Sequence, residues 1–248
     1  MKFENVEVWG FEHALRGMRN PKNSWDKSDS YWTYIEDPET LETAKYQFFI
    51  GENDMKLAQT LIKAGSEHRK FLRQIIVSVD ITAPLYWWKE FDTYKVGTVA
   101  NSTSTMHKLD AGEITLDCFE IDDFINIEYP EDEQRKDVHS ACDHDFVQMC
   151  LIPYLEYLRK MYKETKDKKY WKELVRWLPE GWLQKRTVTM SYENLLAMCS
   201  KGQRRFHKLT EWSGDGEDFV TPSFIKFARS LPYAPSFIFI DEQESTEE

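Results

Sequence analysis

Residues 74–108 read QIIVSVDITAPLYWWKEFDTYKVGTVANSTSTMHK, and the order of patterns within them decides the fold. Val77, Val79 and Ile81 alternate with Ser78 and Asp80, the period-two pattern of a strand buried on one face. Pro84 has the preset ring angle of a first helical turn, and Leu85, Trp87, Trp88 and Phe91 follow at helical spacing, so a helix is expected through Asp92. The composition then changes. The ten residues from Gly97 to Met106 carry six hydroxyl or amide side chains and no charge. Such uncharged hydrogen-bonding capacity suits a loop that wraps a polar ligand, and a Ser/Thr-rich surface turn has the same composition.

A second stretch, residues 172–212, reads KELVRWLPEGWLQKRTVTMSYENLLAMCSKGQRRFHKLTEW. It predicts a helix ending before Leu178-Pro179, then Arg186 just ahead of a strand over Thr187–Met190, and a helix capped by Ser191. Lys201, Arg204, Arg205, His207 and Lys208 place five basic residues in eight positions of a chain whose net charge is −11. A phosphate dianion is the ligand such a local inversion binds best, arginine by its bidentate fork; a basic helix face paired with Glu211 and neighbouring acids is the other reading.

Taken together, the two stretches resemble the flavin-dependent thymidylate synthase family (ThyX). The order is strand, Ala83-Pro84, aromatic helix and polar loop, followed later by Arg176, Leu178-Pro179, Arg186, strand, helix, Arg204/Arg205 and Glu211. The likeness spans roughly residues 10–235. It implies an α+β fold in a single domain, with a central antiparallel or mixed sheet flanked by helices and long buried helices. It also implies FAD as cofactor, methylene-tetrahydrofolate and NADPH as co-substrates, reductive methylation of dUMP or a related pyrimidine mononucleotide, and a homotetramer or other homo-oligomer. The family's Arg-His-Arg triplet falls on Thr93, Tyr94 and Lys95, which makes these the implied flavin-binding positions together with His68, Arg19 and Ser24; Arg16 is a further positional candidate. The family's second His near the flavin falls near Gln74. Its signature Asn-Glu-x-Ser falls on Asn101, Ser102, Thr103 and Ser104, of which Ser104 with Thr103 takes the catalytic position and Asn101 and Ser102 the nucleotide. Arg176, Arg186, Arg204 and Arg205 are the implied nucleotide-phosphate contacts. Only Lys95 keeps the triplet's charge, and each charged donor lost is worth roughly 1.5–3 kcal/mol. A family member that keeps the nucleotide pocket and has lost flavin, or a purely structural assembly module, is therefore an alternative to an active synthase.

The remaining residues bound the problem. At 248 residues with 41% hydrophobic content, one domain over residues 1–240 is expected, followed by an acidic, disordered tail over 241–248. The charge of −11 repels a polyanion, so no nucleic-acid partner is expected. Four cysteines without a C-x-x-C pair fit reduced thiols, and with no apolar span or leader pattern the expected location is cytoplasmic, away from membranes. Residues 3–10 read as an edge strand, Glu12–Met18 and Asn53–Ala64 as helices, and Ile114–Phe119 as a short strand. The aromatic-rich 25–47 could be a lid, a subunit contact or a loop folded on the core. Phe146–Tyr162 is apolar on nearly every side, which predicts a helix buried all round, in the core or an oligomer interface, and bent at Pro153. Thr221-Pro222 reads as the start of a final helix. The His139–Asp145 cluster lacks metal-ligand spacing and reads as helix-capping acids, so no metal is expected.

Overall fold

The alternation at Val77, Val79 and Ile81 is realised as a strand whose apolar side chains are at most 1% exposed, with Ser78 and Asp80 half-buried on the other face. The structure, a computed structural model, describes residues 1–35, 45–104, 109–121, 146–204, 206–213 and 222–243. Its strands are β1 (Lys2–Trp9), β2 (Tyr31–Ile35), β3 (Lys45–Phe49), β4 (Ile76–Pro84), β5 (Val99–Ser102) and β6 (Leu183–Ser191). Four of them form an antiparallel sheet in the order β1-β4-β6-β5, so the alternating stretch is an inner strand. β2 and β3 pair separately as an antiparallel ribbon, Tyr31 opposite Phe49 and Thr33 opposite Gln47. The helices are α1 (Phe11–Arg19), α2 (Glu52–Lys63), α3 (Leu85–Phe91), α4 (Ile152–Thr165), α5 (Lys168–Arg176), α6 (Tyr192–Cys199), α7 (Lys201–Arg204), α8 (Thr210–Ser213), α9 (Phe224–Arg229), α10 (Ala234–Phe237) and α11 (Ile240–Gln243). The expected α+β class, with a sheet flanked by helices, is what the chain adopts.

Two compact units emerge. The first comprises Met1, Thr82–Asp92 and Asn101–Arg186. Here α3 buries Trp87, Trp88 and Phe91 as mutually packed rings, and Trp88 Nε1 donates to the Gln184 carbonyl at 3.0 Å. A second cluster joins Leu109, Ile114 and Phe119 to Leu155 and Leu158 of α4 and Leu174 of α5. The second unit comprises Lys2–Ile81, Thr93–Ala100 and Thr187–Glu248. It buries Leu15, Ile62, Leu72, Leu195, Trp212, Phe224 and Phe237, and α6 begins in the capping box of Ser191 and Asn194 that the sequence announced.

Several expectations need correction. The polar Gly97–Met106 segment contains β5 at the sheet edge, where β-branched and hydroxyl side chains fit a pleated surface. Arg186 lies inside β6, which runs from Leu183 and is longer than the expected Thr187–Met190 strand. The aromatic-rich segment 25–47 contains residues 31–35 and the start of 45–49, which are paired strands. Leu116–Cys118 is a 3-10 turn, and Phe119 makes a single bridge to Trp182. The apolar helix is not buried all round in the single chain: Val147–Leu151 is a π turn, Pro153 stands in the first turn of α4, Leu155 and Leu158 are buried, and Phe146, Met149, Tyr154 and Tyr157 are exposed. The helix expected to start at Thr221-Pro222 begins at Phe224 instead, because the Ser223 hydroxyl caps it by accepting from Lys226 N, and it is followed by α10 and α11. Asp241 and Glu242, assigned to a disordered tail, belong to α11. The His139–Asp145 cluster and Thr221 lie outside the described residues.

Candidate functional site

In the first unit, Arg186 is the centre of an ordered polar framework. Period two places Gln184 and Arg186 on one face of β6, and Arg186 Nε donates to Gln184 Oε1 at 2.9 Å. The Gln184 amide nitrogen in turn donates to the Thr103 carbonyl at 2.9 Å, while Thr103 N donates to the Lys185 carbonyl. Arg186 Nη1 donates to Asp92 Oδ1 at 2.8 Å, and the guanidinium lies 4.2 Å from the Trp88 ring centre. Two of its five N–H groups are thereby used, and the other three have no partner among the described residues. Asn101, Ser102 and Thr103 are exposed beside this framework and Ser104 is half-buried. A cation held over an indole, with open donors next to hydroxyl-bearing backbone, is suited to hold a phosphate or carboxylate.

In the second unit, Tyr94 faces the protein. Its hydroxyl accepts from Gln203 Nε2 at 2.6 Å, and its ring centre lies 6.3 Å from His207 and 5.8 Å from Trp212. Lys95 and Thr93 are exposed. Arg204 bonds to Glu242 and lies near Asp241 and over Phe239. Arg205 lies outside the described residues. His207 is buried with Nε2 against the Met198 carbonyl at 3.0 Å, so Arg204 and His207 of the basic group serve internal partners, whereas Lys201 and Lys208 are exposed.

The N-terminal candidates divide in the same unit. Arg19 is buried against Asp54, and its Nη1 donates to the Ser24 carbonyl. His68 is exposed, with its backbone N–H donating to Gly65. Arg16 is exposed and shares with Gly17 and Gln74 the wall of a cleft of about 330 Å³. Gly17 lets the Gln74 side chain approach closely, since a Cβ there would stand 2.9 Å from Gln74 Oε1 and the amide would have to move aside. In the first unit Arg176 pairs with Glu173 at 2.5 Å on the surface. Among the described residues no group of His, Cys, Asp and Glu could hold a metal, and no helix is long and apolar enough to cross a membrane.

Neither a protein-family model nor a curated protein matches the sequence. Solved structures do match: the flavin-dependent thymidylate synthase ThyX of Helicobacter pylori, complexed with FAD and dUMP, aligns with a TM-score of 0.59 at 16% identity over 97% of this chain and 99% of that one. The fold is that of ThyX. A second Helicobacter pylori ThyX structure, with FAD and dUMP, gives a TM-score of 0.53 at 14% identity over 96% of this chain and 97% of that one. The UMP/dUMP methylase PolB of Streptomyces cacaoi, bound with 5-Br dUMP, gives 0.50 at 13% identity, covering 99% of this chain and 88% of that chain.

Arg16 and Gln74 line one cleft, while at the triplet positions Tyr94 is turned to Gln203 and Trp212 and Lys95 alone carries charge. Thr93 and Tyr94 bring hydroxyls where the resemblance has charged donors, and Lys95 keeps the charge of the third position. The supports of Arg186 escaped the sequence reading, although Gln184 could have been found from its two-residue spacing to Arg186 in a strand.

Proposed function

We propose that the protein binds a pyrimidine mononucleotide of the dUMP type, with the phosphate on Arg186 and the sugar and base beside Asn101, Ser102, Thr103 and Ser104. The observation that carries this reading is the Arg186 guanidinium, fixed by Trp88, Gln184 and Asp92 with three N–H groups that have no partner among the described residues. The likeness to structures that carry dUMP or 5-Br dUMP supports the same ligand class. Calorimetric titration with dUMP tests it. Saturable heat that weakens at least about tenfold in Arg186→Ala is expected (~1.4 kcal/mol), and no heat from the folded wild-type protein would discard the reading.

A second reading, reductive methylation of dUMP with FAD, methylene-tetrahydrofolate and NADPH, is favoured by the fold likeness along nearly the whole chain. The spectrum of the purified protein separates the two. A bound-flavin band, present as isolated or after addition of FAD and gel filtration, favours the synthase; its absence leaves nucleotide binding without flavin. Homo-oligomerisation belongs to both, supported by the exposed Phe146, Met149, Tyr154 and Tyr157, and is read from the mass in solution.

A further inference from the structure

We propose that Asp241 and Glu242, near the end of the chain, form a clasp on α7 that keeps the loop around Tyr94 turned to the protein, so that opening the clasp releases the loop. This proposal does not depend on the nucleotide reading, and every residue it uses lies in the second unit.

α7 cannot hold itself. It is four residues long and contains Gly202, whereas an isolated helix needs about 12–15 residues to be even marginal in water. Lys201 and Gly202 are exposed, so packing contributes little at that end. Its order comes from outside, and α11 supplies it at both ends. Asp241 Oδ2 accepts from Lys201 N at 2.5 Å, which satisfies a donor that a helix start leaves open, and Glu242 Oε1 accepts from Arg204 Nη1. Glu242 is itself fixed from α9. Arg229 Nη1 and Nη2 donate to its two oxygens at 2.6 and 2.7 Å, with the guanidinium 4.1 Å from the Phe239 ring centre.

α7 passes this restraint on. Gln203, between the two anchored ends, donates through Nε2 to the Tyr94 hydroxyl at 2.6 Å. Around Tyr94 the chain is exposed at Thr93, Lys95, Val96 and Gly97, and a second amide, Asn194 Nδ2, donates to the Val96 carbonyl at 2.8 Å. The clasp is also built to open. Arg204 Nε and Asp241 Oδ1 are buried with no hydrogen-bond partner among the described residues, and Arg204 Nη2 stands 3.9 Å from that oxygen. Each such atom costs about 1–3 kcal/mol while the clasp is shut and regains water when it opens. The gap between shut and open is narrowed without being removed, as a releasable contact requires.

Hydrogen exchange of the full chain, read from peptide masses, tests the coupling. Rates are taken relative to the inner strand β4, whose amides report global opening. Glu242→Gln removes the charge that holds Arg204 and should speed exchange at least about tenfold both in residues 200–204 and in residues 93–98. Gln203→Ala should speed residues 93–98 alone, and adding Glu242→Gln to it should speed them no further. Asp241→Asn, which acts at the other end of α7, serves for the same comparison where Glu242→Gln fails to fold. Residues 93–98 that stay at the parent rate while 200–204 opens would overturn the proposal, as would two substitutions whose effects on them add. Parent rates in both segments would overturn it too. Failure of dUMP to bind leaves it standing, because no ligand enters the test.

Discussion

Arg19 Nε meets Asp54 Oδ1 at 2.5 Å, and the two side chains are 5% and 0% exposed. The pair ties the last turn of α1 to the first turn of α2, which accounts for a buried arginine that the resemblance would have assigned to flavin. Removing the cation strands a buried carboxylate, at a cost of about 3–5 kcal/mol. Arg19→Met should lose that much stability in urea unfolding. Ser30→Ala, which removes one hydroxyl donor to the same carboxylate, should cost about 1 kcal/mol. Equal unfolding midpoints for Arg19→Met and the parent would refute a structural role for the pair.

Cys199 should be chemically inert in the folded chain. Burial pushes its thiol up to about 12, with Arg204 and Arg229 pulling only weakly the other way. The thiolate is the reactive form, so at mildly alkaline pH almost none is available. Cys150 is exposed and Cys118 half-buried. Among these three, iodoacetamide is expected to label Cys150 first and to reach Cys199 only after denaturation, which peptide masses will show; early labelling of Cys199 contradicts its burial.

Much of the scaffold was legible because single local signals decided it. The alternation at Val77–Ile81, the aromatic run after Pro84 and the Ser191–Asn194 cap each specify one conformation, and each appears where the residues put it. β5 was not legible, because Ser, Thr and Asn serve a turn and an edge strand equally well until a partner strand is known. The candidate site divides along the same line. Arg186 could be named from order in the chain, but its fixing by Asp92 and Trp88 joins residues far apart in sequence, and no local pattern encodes that. Conversely, the basic run at 201–208 suggested an anion site, and the acids that occupy Arg204 come from the chain's end.

Those acids give the fold a pH dependence. Arg204 and Arg229 both bond to the Glu242 carboxylate, and both guanidinium groups lie over the Phe239 ring. The Arg229 hydrogen bonds hold the Glu242 carboxyl below its ordinary 4.5, against the opposing effect of burial and with help from Arg204. A carboxyl depressed in the folded state contributes stability above its unfolded pKa, and that contribution is lost as pH falls through the folded value. Glu242→Gln should therefore melt below the parent near neutrality, and the gap should close as the solution is acidified below 4.5. A gap that stays constant into that acid range would assign the effect to packing instead of charge.

The Arg186 framework predicts substitutions of opposite sign. Asp92 holds one Nη1 donor, so a bound phosphate must share the guanidinium with a carboxylate that is 53% exposed. Asp92→Asn removes a competing negative charge, and dUMP should bind more tightly, most clearly at low salt where the repulsion is least screened. Gln184→Ala acts the other way. Its side chain is the link between Thr103 and Arg186, so the arginine loses its Nε anchor and the affinity falls with the charge unchanged. Arg186→Lys keeps the charge but loses the fork and the guanidinium contact with the Trp88 ring, and should bind between the parent and Arg186→Ala. Calorimetry across the four variants at two salt concentrations reads all of this. If Asp92→Asn weakens dUMP as much as Gln184→Ala does, Asp92 orients the arginine for its ligand and does not compete with it.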